Sequence, residues 1–271
     1  MRSGSSGPYY PPSVRPGDAT SSSAEETVSF VIPTYDEPVF GESLDRLVDH
    51  LAGIAGTRFE LLVVDDSDDA GIARMRAEVE ARAARSPRVA VAFLEGPRLG
   101  KGAAVRQGVL ASTGSVIFTL DADLPVPLAS IERFLETMRE TGADGVIGQR
   151  PGDRYADDAW RHFLSRGLYY LQTMIVFHRA AFEDTQCGFK AFRGEVLKDM
   201  ARLQITDRGM HDLEYLYMAT IRHLKLVSLP VEVCPEIRPS RIKLFRCLVV
   251  DPFDVLRIKA RGVLGRYRWP S

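Results

Sequence analysis

Four short, near-continuous apolar runs punctuate the first half of the chain, at residues 28–32, 61–64, 89–93 and 116–120. Each has the length of a strand, and an apolar run without alternation marks a strand covered on both faces. Between them, residues 43–54, 72–85 and 101–111 carry apolar positions at helical spacing. The resulting β-α-β-α-β-α-β order predicts right-handed crossovers and a mostly parallel central sheet flanked by helices, an α/β fold. Residues 145–148 add a further short strand. Beyond them the pattern turns helical, at 159–177 and 211–224, with aromatics and interspersed arginines.

Composition narrows the class. With 45% hydrophobic and 26% charged residues in 271, the chain has the make-up of a globular protein with a sizeable core. Lys and Arg number 35 against 36 Asp and Glu, which argues against a nucleic-acid binder. Cys187, Cys234 and Cys247 are odd in number and far apart, so neither a disulfide framework nor a thiolate zinc site is expected, and a reducing cytoplasm fits. No run approaches the roughly 18–20 apolar residues of a spanning helix, and no signal-peptide core opens the chain, so neither membrane crossing nor export is expected.

Three segments follow from these shifts. Residues 1–26 are rich in Ser, Gly and Pro and read as a disordered tail. Residues 27–237 form the body. Residues 238–271 carry nine Lys and Arg against Asp251 and Asp254, with apolar residues between them, the pattern of basic amphipathic helices that lie on an anionic membrane surface.

In open α/β sheets ligands bind beyond the carboxyl ends of the strands. There the sequence places Pro33, Thr34, Tyr35, Asp36 and Glu37 after the first strand, Asp65, Asp66, Ser67, Asp68 and Asp69 after the second, and Asp121, Ala122 and Asp123 after the fourth. So many carboxylates on one rim repel unless a divalent cation such as Mg²⁺ or Mn²⁺ compensates them. Helix capping competes as the role of Asp36, Asp68 and Asp69. Asp121 and Asp123 point the same way if the strand continues through them. Gly100-Lys101-Gly102 opens a helix, where backbone N–H groups and the lysine can meet an anion. It lacks the Walker spacing, and the first strand leads into no Gly-x-Gly-x-x-Gly turn, so a dinucleotide fold is excluded. His211, inside a helix, is expected to be structural, and Cys187 a packing residue.

Together VSFVIPTYDE at 28–37, VVDD at 63–66, GKGAAVRQG at 100–108, TLDADLPVP at 119–127, DTQCGFKAFRG at 184–194 and HDLEYLYMA at 211–219 resemble the inverting family 2 glycosyltransferases of GT-A fold. Within that family they are most similar to the dolichyl-phosphate glucosyltransferase and polyprenyl-phosphate mannosyltransferase branch. The resemblance implies a hexosyltransferase moving a hexose from a UDP- or GDP-sugar to a polyprenyl phosphate with inversion, using Mg²⁺ or Mn²⁺. It implies that Pro33, Tyr35, Asp36, Glu37, Asp65 and Lys101 line the nucleotide pocket. Asp121, Ala122 and Asp123 match the family's Asp-x-Asp, whose two acids hold the metal. Arg150 and Arg161 would meet the acceptor phosphate, while Asp184, Gln186, Lys190 and His211 would surround sugar and acceptor. Asp212 and Glu214 match an acidic pair that would supply a general base for a hydroxyl acceptor. The helical second half would build the acceptor side.

The chain departs from the family pattern at Arg98-Leu99, at His211, at Pro125, and in lacking a tryptophan near 233–235. A transferase acting on a hydroxyl of a small molecule is the alternative. The expected location is cytoplasmic, peripheral on the inner face of the membrane.

Overall fold

The structure, a computed structural model, describes residues 26–37, 40–83, 86–150, 173–177, 182, 184–233 and 244–268. Residues 1–25 of the expected tail, Arg161 and most of the 159–177 helix lie outside the described residues; Glu26, given to the tail, is the first residue of the first strand, and 173–177 is helical. The sheet orders its strands β3-β2-β1-β4-β6-β5-β7, where β1 is Glu26–Thr34, β2 Thr57–Asp65, β3 Val89–Glu95, β4 Val116–Thr119, β5 Gly145–Gln149, β6 Lys190–Arg193 and β7 Leu226–Pro230. All pairings are parallel except those of β6, which runs antiparallel between β4 and β5. The five strands expected from apolar runs are present; β6 and β7 are additions.

The inner strands β1, β2 and β4 lie at the centre because both of their faces are apolar, while β3 and β7 form the two less buried edges. On one face Val28, Phe30 and Ile32 of β1 join Phe59, Leu61 and Val63 of β2 and Phe118 of β4. Phe30 stacks on Phe118 with ring centroids 4.8 Å apart. Helix α1 (Phe40–Ala52) covers this face with Phe40, Leu44, Leu47, Val48 and Leu51, the i, i+4, i+7, i+8, i+11 stripe of an amphipathic helix. Helices α2 (Asp69–Glu80) and α4 (Ser130–Thr141) complete the layer. Asp68 caps α2, its Oδ1 accepting from Gly71 N at 2.9 Å, so the capping role holds there.

The opposite face receives α3 (Lys101–Ala111), α5 (Gly194–Leu203), α6 (His211–Ile221) and α7 (Leu244–Val263). Val255 and Ile258 of α7, and Tyr267 beyond it, are buried in this second core with Tyr217 and Met218 of α6. The basic C-terminal segment is thus packed onto the body along one face.

Gly108 lets α3 lie close on the sheet: a Cβ there would stand 2.5 Å from Val31 Cγ1 and 3.0 Å from Val64 Cγ2. Alanine at a helix position normally gains about 1 kcal/mol over glycine. Overpacking against two β-branched side chains reverses that sign, and Gly108→Ala is expected to lower stability by about 1–3 kcal/mol. Urea denaturation measures it; an unchanged or raised midpoint would remove close packing as the reason for the glycine.

Candidate functional site

The strand order reverses direction between β1 and β4, and the carboxyl ends of β1, β2 and β4 meet there. Thr34 and Asp65, last residues of β1 and β2, are register partners, and Thr34 Oγ1 donates to Asp65 Oδ1 at 2.9 Å. Ser67 Oγ donates to the same oxygen at 2.9 Å and accepts from Asp36 N at 2.8 Å. Asp65 Oδ2 is buried with no hydrogen-bond partner among the described residues. Burial, only partly offset by the two hydroxyls, raises the Asp65 pKa. Tyr35 is exposed, and Asp36 pairs with Arg74 at 2.7 Å.

Asp66 holds the next loop. Its Oδ1 accepts from Arg98 N at 2.5 Å and its Oδ2 from Gly100 N at 2.7 Å, fixing the turn from which α3 starts. Gly100 has φ +123°, a value that favours glycine. The Gly-Lys-Gly segment is not the open anion cradle that its pattern allowed. Ala103 N donates to Asp207 O at 3.0 Å, and a Cβ on Gly102 would lie 2.6 Å from Arg208 O and 2.7 Å from Thr206 O. These glycines admit the backbone of residues 206–208. What the turn presents to the rim is Lys101.

Lys101 Nζ lies 2.5 Å from Asp121 Oδ1. Burial works against both charges, yet each side chain stabilises the other, so Lys101 is held above its ordinary pKa and Asp121 below its own. Strand β4 ends at Thr119, and Asp121–Leu124 form a turn closed by Leu124 N donating to Asp121 O at 3.1 Å. Strand alternation is therefore not what relates Asp121 to Asp123; the turn is. Asp123 reaches the surface, but the neighbouring protein strips part of the hydration from its carboxylate, and this, with the charges of Asp121 and Glu37, raises its pKa. Two hard carboxylates, one of them destabilised as an anion by the other, fit Mg²⁺ or Mn²⁺. No group of three or more metal-binding side chains exists among the described residues. Substrate phosphate oxygens and water would complete the sphere, as is usual for Mg²⁺. Gly188 packs against Asp121: a Cβ there would approach its carboxylate within 2.3 Å.

A mainly apolar cavity adjoins Asp121, lined by Leu124, Pro125, Val126 and Phe189, with Arg150 among its walls. Arg150, directly after β5, is held by Asp184 through Nε at 2.6 Å and Nη2 at 3.0 Å. Asp184 also accepts from Gln186 N at 2.9 Å. Burial opposes the Arg150 charge, but Asp184 more than restores it. The pairing is a buried fork, not a surface contact. It occupies two of the five N–H donors of the guanidinium. Burial raises the Cys187 thiol, which packs in the first core.

At the start of α6, Lys190 Nζ lies 2.5 Å from Asp212 Oδ1, with both side chains buried. Burial disfavours the Asp212 carboxylate, but His211, Lys190 and Lys101 hold it well below the usual range. His211 Nδ1 stands 2.9 Å from Arg208 O, and burial lowers the imidazole pKa, so this histidine is a structural donor.

Glu214 departs from the expectation placed on the acidic pair. Its Oε1 accepts from Ile205 N at 2.9 Å and Tyr267 Oη at 2.7 Å; its Oε2 accepts from Thr206 N at 3.0 Å and Thr206 Oγ1 at 2.5 Å. Fully buried with every lone pair engaged, it anchors the 205–206 loop and leaves no oxygen for a substrate proton. Sequence reasoning missed the functions of Asp66, Gln204 and Tyr267. Gln204 Nε2 donates to Gly102 O at 2.8 Å, 102 positions away, a contact no local pattern signals.

Residues 29–200 match the family described as Glycosyl transferase family 2. A dolichyl-phosphate beta-glucosyltransferase of Trichomonas vaginalis is 30% identical over 237 residues, covering 82% of this chain and 68% of that protein. An undecaprenyl-phosphate 4-deoxy-4-formamido-L-arabinose transferase of Pseudomonas paraeruginosa is 32% identical over 177 residues, covering 65% of this chain and 49% of the other. Among solved structures, glucosyl-3-phosphoglycerate synthase from Mycobacterium tuberculosis in complex with Mg²⁺ and UDP superposes with a TM-score of 0.59 at 18% identity, covering 91% of this chain and 81% of that one. Its fold is the GT-A arrangement that the strand order here reproduces. On its motifs, its fold and these matches, the chain belongs to glycosyl transferase family 2 and is a glycosyltransferase.

Proposed function

We propose that this glycosyltransferase moves a hexose from a uridine or guanosine diphosphate sugar to a polyprenyl phosphate, with inversion and with Mg²⁺ or Mn²⁺ bound by Asp121 and Asp123. One observation carries the choice of acceptor: the acids on that side of the site are already engaged. Asp184 grips Arg150, Asp212 is locked to Lys190, and Glu214 is saturated. A general base works best with a pKa near the working pH. Asp212, held ionised by a buried ammonium, is a poor one. A hydroxyl acceptor needs such a base, whereas a phosphate is anionic at neutral pH and attacks without one. The names of the relatives, which are transferases to dolichyl and undecaprenyl phosphate, support the same reading.

In this reading the donor nucleotide lies over the ends of β1 and β2, between Pro33, Tyr35, Asp36 and Glu37 and the free Oδ2 of Asp65, which accepts an N–H from the base. The UDP and Mg²⁺ of the solved neighbour support a nucleoside diphosphate and a divalent cation as ligands of this fold. When bound, the cation neutralises charge on the departing diphosphate. Lys101, fixed at the first turn of α3, adds a second positive charge at that point. Arg150, oriented by Asp184, directs its remaining donors to the acceptor phosphate, with Arg161 as its partner. Gln186, Lys190 and Asp212 shape the space between donor and acceptor. The phosphate oxygen attacks the anomeric carbon in line with the leaving diphosphate, which inverts the configuration.

Asp123 is exposed, so Asp123→Asn is expected to keep the fold while metal-dependent transfer drops about 100-fold or more. Full turnover at unchanged thermal stability would remove Asp123 from the metal site. Arg150→Lys keeps the charge and loses the fork. Transfer to a short polyprenyl phosphate should fall about 10–100-fold while donor hydrolysis stays within about twofold. Equal loss of both would place Arg150 with the donor instead. Offered the free polyprenol in place of its phosphate, the enzyme should form no product; transfer to the alcohol would favour the hydroxyl reading.

A further inference from the structure

Eight large apolar side chains are exposed among the described residues, and four of them, Phe253, Leu256, Val263 and Leu264, belong to α7 and the turn that ends it. They are 64%, 55%, 74% and 65% exposed. With exposed Ala260 they fall at i, i+3, i+7, i+10 and i+11, one continuous stripe along the helix. The face turned the other way is spent on the body. Val255 and Ile258 are fully buried, and Gly262 lies against Tyr217, where a Cβ would meet its ring at 2.4 Å. The helix has one apolar face that the fold uses and a second that it leaves in water.

Charge identifies what the second face fits. Arg257, on the helix next to Leu256, and Arg266 and Arg268, just past its end, are exposed. The two acids of the helix lie elsewhere: Asp254 is buried and pairs with Arg257 at 3.1 Å, and Asp251 is half-buried. An apolar stripe edged by arginines and free of exposed acids is the pattern of a helix lying in the headgroup layer of an anionic bilayer. Among the described residues no helix is long and apolar enough to cross a membrane, so the contact is along the surface.

The helix is also tied to the reaction centre. Tyr267 Oη donates to Glu214, two residues from Asp212 on α6, and Lys259 Nζ donates to Val176 O at 3.0 Å. A bilayer meeting this face is therefore held in a fixed orientation to the acceptor side of the site.

We propose that the outer face of α7, formed by Phe253, Leu256, Val263 and Leu264 with Arg257, Arg266 and Arg268, docks the enzyme on an anionic lipid surface. The docking argument stands on α7 itself; only its purpose, access to a lipid acceptor, rests on the function proposed above. The test is flotation of the 271-residue chain with vesicles of phosphatidylcholine alone or with phosphatidylglycerol, at low and high salt. Binding should require phosphatidylglycerol, weaken with salt, and fall about tenfold or more in Phe253→Ser/Leu256→Ser and in Arg266→Glu/Arg268→Glu. Manganese-dependent donor hydrolysis, measured without vesicles, should be unchanged in both variants. No flotation, or flotation indifferent to both variants, overturns the proposal. So does a dimer in sedimentation velocity that the serine variant disperses without any vesicle binding, since the stripe would then seat a second copy. Absence of transfer to polyprenyl phosphate by the unaltered chain, when that chain floats and the variants do not, would count against the acceptor assignment and leave the docking face standing.

Discussion

Carboxylates crowded at the end of a sheet are tolerable only where each meets a cation or a set of N–H donors, and that requirement organises this rim. Lys101 answers Asp121, Arg150 answers Asp184 and Lys190 answers Asp212, while Asp66 and Glu214 are met by backbone amides and hydroxyls. Removing one partner of a buried pair such as Lys190–Asp212 leaves an uncompensated charge, at a cost of about 3–5 kcal/mol. The acids left less satisfied are Asp65, at one oxygen beyond β2, and Asp123, beside Asp121 beyond β4.

The loop from Gln204 to Arg208 connects these pairs mechanically. It bonds to the first turn of α3, which carries Lys101, and its Thr206 is held by Glu214 of α6, the helix that begins with His211 and Asp212. Tyr215 Oη donates to Gln204 Oε1 at 2.5 Å, closing the loop from behind. Tyr267 joins the same cluster from the C-terminal segment. The N-termini of α3 and α6 and the segment that follows α7 therefore share one buried hydrogen-bond network, and the bare backbone of Gly102 is what lets the loop approach. A family motif in this region, HDLEYLYMA, mixes Asp212, which pairs with Lys190, with Glu214, which holds the scaffold.

Much of the fold was legible because a strand buried on both faces must be apolar throughout, and the four runs so read, with the 145–148 candidate, are the strands β1 to β5; β3 departs from the expected burial, since it is the edge strand and Ala90 and Ala92 are exposed. Helix α3 occupies its expected span, and the rim acids lie where the strand ends place them. The β6 strand was not legible. Its Lys190–Arg193 segment is short, begins with a charged residue and pairs antiparallel between two strands distant in sequence. The turn at Asp121–Leu124 was likewise hidden, since Leu120 extends the apolar run one residue past the end of β4.

The division follows from the range of the forces concerned. Local periodicity, the rim acids and the family motifs are properties of neighbouring residues, so the amino-acid order alone determined the strands β1 to β5, the acids at their carboxyl ends and the membership in a transferase family. Which acid meets which cation was decided by tertiary structure: Arg150 and Asp184 are 34 positions apart, Lys190 and Asp212 are 22, and Glu214 and Tyr267 are 53. Each such pair exists only once β5, β6, α6 and the C-terminal segment have packed. The same packing turns one apolar face of α7 inward and leaves the other outward, a distinction that composition cannot express because both faces are apolar.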